Sequence, residues 1–229
     1  LEHGGSSGLN AAVGVEGIKG NSTMEMTGGT ITGNTAEYGG ILVGTYSTNY
    51  TMQNNFSNPA HYYSKGILNL KGGTISNNTA AVLGGGIAVN GTGILTMDGG
   101  TISGNKAPFG GGIGAVDYLT SADDKRFGEA RWRGFFPAAV TINDGLITGN
   151  EATMTAVTSQ ITDPNAENGV GGGLYVASKE VYVNGGQFTN NTAGKQGGGI
   201  YVASVPYVLK MGKTLVTENT ATKIGGGMW

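Results

Sequence analysis

Apolar residues in this chain recur every second position in short runs, and each run is closed by glycine, asparagine or aspartate. The run GGTITGNTA from Gly28 returns as GGTISNNTA from Gly72 and GGTISGNKA from Gly99. Looser copies follow: DGLITGNEA from Asp144, GGQFTNNTA from Gly185 and KTLVTENTA from Lys213. A second run precedes it, as TMEM at Thr23, ILNL at Ile67, ILTM at Ile94, VTI at Val140, VYV at Val181 and VLKM at Val208. A third, GGGI, spans Gly84–Ile87 and Gly110–Ile113 and returns at Gly171, Gly197 and Gly225. Its apolar residue falls at Ile87, Ile113, Leu174, Ile200 and Met228, an uninterrupted period of 26–28 residues. Period-two alternation bounded by turn residues predicts strands, and self-similarity at this spacing predicts a repeat architecture.

Three strands per unit, with no hairpin signal between neighbours, predict an all-β, single-stranded parallel β-helix of about six coils. The crossover rule for parallel strands predicts a right hand. The expected inward ladders are Ile41, Ile87, Ile113, Leu174, Ile200 and Met228 on one sheet, and Met26, Leu70, Met97, Ile142, Val183 and Met211 on the next. Ile31, Ile75, Ile102, Ile147, Phe188 and Val216 make the third. Asn34, Asn78, Asn105, Asn150, Asn191 and Asn219 close the third strand, with an alanine two residues on. These asparagines are expected to be structural. They would take the left-handed backbone of a sharp corner and stack their amides from coil to coil.

Composition narrows the alternatives. Glycine supplies 45 of 229 residues, a density at which helices are poor competitors. There is no cysteine, so neither a disulfide framework nor a thiolate site is available. The formal charge is −2 with no basic block, against a nucleic-acid partner. No apolar run is long enough to span a membrane as a helix. The first residues, LEHGGSSGLN, carry no initiator methionine or signal core and read as a processed or excised end.

The pairing of Asn-Thr-Ala with a following Gly-Gly-Gly-Ile resembles the FxxN and GGAI motifs of polymorphic outer-membrane proteins. More broadly it resembles the β-helical passenger repeats of bacterial surface adhesins and autotransporters. The phenylalanine of that motif is Ile or Val here except at Phe188, and the third small residue is Gly. The resemblance implies an extracellular or cell-surface protein.

One domain over residues 1–229 is expected, with insertions at 44–67, 116–139 and 151–173. The first two leave the same corner two coils apart, and they hold more than half of the aromatic rings. Tyr62 and Tyr63 in the first, and Tyr118, Arg131, Trp132, Arg133 and Phe135 in the second, combine ring faces with hydrogen-bonding groups, which suits sugar recognition. A satellite core that anchors the loops would use the same residues. Tyr175, Tyr201 and Trp229, outward on successive coils, form an expected aromatic stack, explicable by cross-strand packing or as a binding platform.

The expected function is therefore a non-enzymatic adhesin or surface-display solenoid that binds glycans or a host or neighbour surface through its aromatic loops. The alternatives are a carbohydrate-active enzyme (polysaccharide lyase or hydrolase) and a self-assembling structural solenoid. The charged second loop carries Asp123, Asp124 and Glu129 beside its arginines. No facing strand supplies the partner carboxylates that Ca²⁺-assisted or paired-acid chemistry needs. His3 and His61 have no metal-ligand spacing. No catalytic residue, metal or cofactor is expected. The expected partners are a glycan or cell-surface ligand and, end to end, a second copy of the chain.

Overall fold

Each run pairs in parallel with its own copy one repeat away, so the repeat is the coil. The computed structural model describes residues 11–17, 20–44, 65–117, 138–155, 168–203 and 207–229. Among these, the regular elements are all strands. The first face stacks Val13–Val15, Ile41–Val43, Ile87–Asn90, Ile113–Val116, Leu174–Ala177 and Ile200–Val202 in that order. Ile41, Ile87, Ile113, Leu174 and Ile200 are in direct register from coil to coil. The six-coil parallel β-helix read from the repeat is the fold.

The division of the coil into faces differs from the expectation. The ILTM and TIS runs belong to one sheet, bent at the glycine pair between them. In the third and fourth coils they are single strands, Gly93–Ser103 and Ala139–Thr148. The third face comes from the Asn-Thr-Ala run, which the sequence suggested was only a corner. Its strands are Thr35–Tyr38, Thr79–Leu83, Lys106–Ala107, Glu151–Ala152, Thr192–Ala193 and Thr220–Ala221. Lys106 N–H donates to the Asn78 carbonyl at 2.8 Å and Glu151 N–H to the Asn105 carbonyl at 2.8 Å. Two residues per coil suffice in the later coils, because the backbone there bonds to the adjacent coils.

The inward ladders fill the interior. Phe188 takes the place that isoleucine or valine holds in the other coils, and it is fully buried. The core opens most at the last coil, with Met211 and Met228 39% and 49% exposed, while Val13 and Ile31 of the first coil are partly buried. The glycine triplets let a turn lie against the core: a Cβ on Gly112 would sit 2.6 Å from the Gly173 carbonyl oxygen and 3.1 Å from the Asn150 amide nitrogen. Gly110, at φ 65°, supplies the left-handed turn that enters the strand.

The asparagine ladder is a continuous chain of amides. Asn78 donates from its backbone N–H and from Nδ2 to Asn105 Oδ1, both at 3.0 Å. Asn105 does the same to Asn150, and Asn150 to Asn191. The second Nδ2 hydrogen goes back to the coil before, from Asn105 to the Ile75 carbonyl at 3.0 Å. These amides are fully buried in the middle of the stack. The ladder asparagines are not themselves left-handed, contrary to the expectation. That conformation falls one residue earlier, at Gly33, Asn77, Gly104, Gly149, Asn190 and Glu218, with φ between 54° and 70°. The preceding residue makes the turn, so the ladder residue can point its amide along the stack.

Two stability outcomes follow. Asn105→Ala removes bonds to both neighbouring coils and leaves buried groups unpaired, so a loss of about 1–3 kcal/mol is expected. Asn219→Ala at the open end should cost less, and equal losses in chemical denaturation would count against the ladder. Glu218 is the only non-glycine, non-asparagine residue among the six left-handed corners. Glu218→Asn should raise stability by up to about 1 kcal/mol, read as a higher denaturation midpoint.

Candidate functional site

The corner between the first and second faces closes with two residues in the third coil: one strand ends at Asn90 and the next begins at Gly93. In the second coil the same corner runs from Gly44 to Lys65, and in the fourth from Asp117 to Ala138. The third coil lies between them in the sheet, so both insertions rise from one edge of the stack.

Their feet are held firmly. Gly44 N–H donates to the Val15 carbonyl at 3.0 Å, and Lys65 N–H to Asn21 Oδ1 at 2.9 Å. At the second insertion the Ser178 hydroxyl donates to the Ala138 carbonyl, and Lys179 N–H to Asp117 Oδ1 at 3.2 Å. The third insertion leaves the opposite corner, where Asn168 Nδ2 closes its base on the Met154 and Thr155 carbonyls at 3.0 and 2.7 Å.

Asp117 was not singled out in the sequence. It is 2% exposed, and its Oδ2 has no hydrogen-bond partner among the described residues. Burial pushes its carboxyl above the ordinary value of 3.8, opposed by the nearby Ser178 hydroxyl and the Lys179 N–H. With Asn90 and Ser178, also buried, it makes a polar seam under the insertion corner. The available signal was that Asn90, Asp117 and Ser178 all fall at the ends of GGGI strands, Asn90 at the register position that Val116 and Ala177 hold in the next two coils.

Of the sequence-predicted residues, Tyr62, Tyr63, Tyr118, Arg131, Trp132, Arg133 and Phe135 lie outside the described residues. The other three are placed. Tyr175 and Tyr201 stack with ring centroids 5.7 Å apart and planes 8° from parallel. Tyr175 is fully buried, with Phe109 edge-on at 5.3 Å, and Tyr201 is 9% exposed. Trp229, at the end of the column, is 50% exposed.

The stack belongs to a second apolar cluster on the outer side of the first face. The residue before each glycine turn builds it: Tyr38, Leu83, Phe109 and Val170 fold over Leu42, Ala88, Val116 and Tyr175. Leu83 reaches the following coil, where a Cβ on Gly114 would fall 2.6 Å from its Cγ. Tyr175 is thus held as a core residue is held, and Trp229 alone of the three offers a broad exposed ring.

A stack of parallel coils with a buried amide ladder defines a parallel β-solenoid. Within it, residues 185–203 match the repeat of the Chlamydia polymorphic membrane protein family. That stretch contains Phe188, the ladder residue Asn191 and the Gly197–Ile200 turn, so the chain carries a repeat of this type. It associates the solenoid with bacterial surface or outer-membrane proteins. No curated protein and no solved structure matches the chain.

Because the Asp117 carboxyl is raised, the stability it lends is present below pH 3.8 and is lost as pH rises through its folded value. Asp117→Asn keeps the acceptor for Lys179 without the buried charge. The variant should melt higher than the parent at pH 7, and the gap should narrow toward pH 4. A gap independent of pH in thermal unfolding would remove the charge from the account.

Proposed function

We propose that the chain is a non-enzymatic surface adhesin, with its recognition surface at the corner that bears the 44–67 and 116–139 insertions. The observation that carries this reading is the third coil, which passes the same corner with only Gly91 and Thr92 between strands. Coil closure therefore does not need either insertion. Long excursions from a coil that closes without them are where repeat proteins carry recognition. Their aromatic and arginine content suits a glycan or a glycosylated surface, through ring stacking and hydroxyl hydrogen bonds. The polymorphic membrane protein repeat supports display at a bacterial surface.

Replacing residues 118–137 with a two-residue turn keeps Asp117, Ala138 and their bonds to Ser178 and Lys179. The shortened chain should retain its sheet circular dichroism and cooperative unfolding, while binding on a glycan array or to cells disappears. Trp132→Ala alone should weaken binding by about 1–3 kcal/mol, the scale of an aromatic anchor. Undiminished binding by the shortened protein would move recognition to Trp229 or elsewhere. Turnover of an acidic polysaccharide, lost with Arg131→Ala or Arg133→Ala, would replace the adhesin reading with an enzyme.

A further inference from the structure

We propose that the foot of the second insertion is a proton-operated anchor. With Asp117 protonated the fifth coil holds both ends of the insertion, and with Asp117 ionised the Ala138 end is freed. The inference stands whether or not the corner is a recognition surface.

Both ends of this insertion are tied to one short turn of the fifth coil. Asp117 N–H donates to the Ala177 carbonyl at 3.1 Å, and Asp117 Oδ1 accepts from the Lys179 N–H at 3.2 Å. Where the chain returns, the Ala138 carbonyl accepts from the Ser178 hydroxyl. Ser178 is fully buried, and its oxygen also accepts from the Glu180 N–H at 3.4 Å. The single hydrogen of that hydroxyl is what holds Ala138 to the turn.

Asp117 competes for it. Its Oδ2 is sealed in the interior with no partner, and the Ser178 hydroxyl lies within hydrogen-bonding reach of the carboxyl. One hydrogen cannot serve the Ala138 carbonyl and a carboxylate together. An ionised carboxylate is the stronger acceptor and draws the hydrogen to itself. A neutral carboxyl makes no such demand, and Ser178 keeps Ala138. Burial favours the neutral form. Among the described residues, Lys179 is the charge that bears on the carboxyl, and it favours ionisation. Glu180 begins the next strand of the same coil. The third-coil corner, Asn90–Thr92, and the strand start after the insertion, Ala139–Ile142, carry no charge.

The other two insertions are held differently. The first rests on the Gly44 N–H to the Val15 carbonyl and the Lys65 N–H to Asn21 Oδ1. The third rests on Asn168 Nδ2 and the Met154 and Thr155 carbonyls. These are backbone and amide groups, which keep one charge state at every ordinary pH. Proton sensitivity is thus confined to one insertion, and the first foot, on the same corner, is its internal control.

Amide exchange of the full chain, followed by mass spectrometry and corrected for the intrinsic rate, tests this. Opening returns the carboxyl to water, so opening of residues 138–142 should become about tenfold easier for each pH unit above 3.8, levelling off at the folded value of Asp117. Residues 65–70 at the first foot should not follow, and D117N should remove the dependence. Carbon NMR reads the coupling directly. Asp117 Cγ and the Ala138 carbonyl carbon should titrate together, and S178A should leave Asp117 titrating with the Ala138 carbon flat. Exchange at 138–142 that is flat with pH, or that rises equally in D117N, would overturn the proposal. An Ala138 carbon that still titrates in S178A would do the same. So would Ca²⁺ that suppresses opening in the parent and not in D117N, which would assign Oδ2 to a cation instead.

Discussion

A buried primary amide that can be satisfied only by the coils above and below it governs this structure. Each middle asparagine of the ladder is sealed from water and offers one acceptor and three donors, counting its backbone N–H. An error of one residue in stacking would leave those groups unpaired in the interior, at about 1–3 kcal/mol for each. Register is therefore set rung by rung at this corner, and the apolar ladders follow. Isoleucine and methionine columns alone would tolerate slippage, because one aliphatic layer packs acceptably on another.

The same requirement shapes the backbone around it. For the amide to lie along the stack, the residue before it must turn left-handed, and three of the six coils place glycine at that point, two asparagine and one glutamate. The glycine triplets answer a separate constraint, the approach of one coil's turn to the carbonyl groups of the next. Together these two corners explain why one residue in five is glycine in a protein with a dense aliphatic core.

The proposed recognition surface is set apart from this frame. The coils consume nearly all of the regular sequence, and what is irregular leaves from corners that other coils close in a few residues. A buried carboxylate and serine anchor the second insertion to the fifth coil, so the loop base is as fixed as the coil itself while its sequence is free of the repeat. That division lets a β-solenoid vary its recognition surface without disturbing its core.

The sequence by itself determined the coil number, the inward ladders and the asparagine column. Each of these is a periodic signal, repeated in every coil and enforced by the copy one rung away. Phe188 and Met97 could be placed in the core from their register alone. Tertiary structure decided what depends on contacts between unlike positions. The Asn-Thr-Ala run became a third face because its backbone groups meet partners in adjacent coils, although two residues carry no strand signal. Tyr175 became a core residue because Phe109 and Tyr201 cover it from neighbouring coils. Asp117 became buried because Ser178 and Lys179, two strands' worth of sequence away, close over the foot of an insertion. Outward-facing burial of this kind depends on which turn lies alongside, and no period in the chain encodes that.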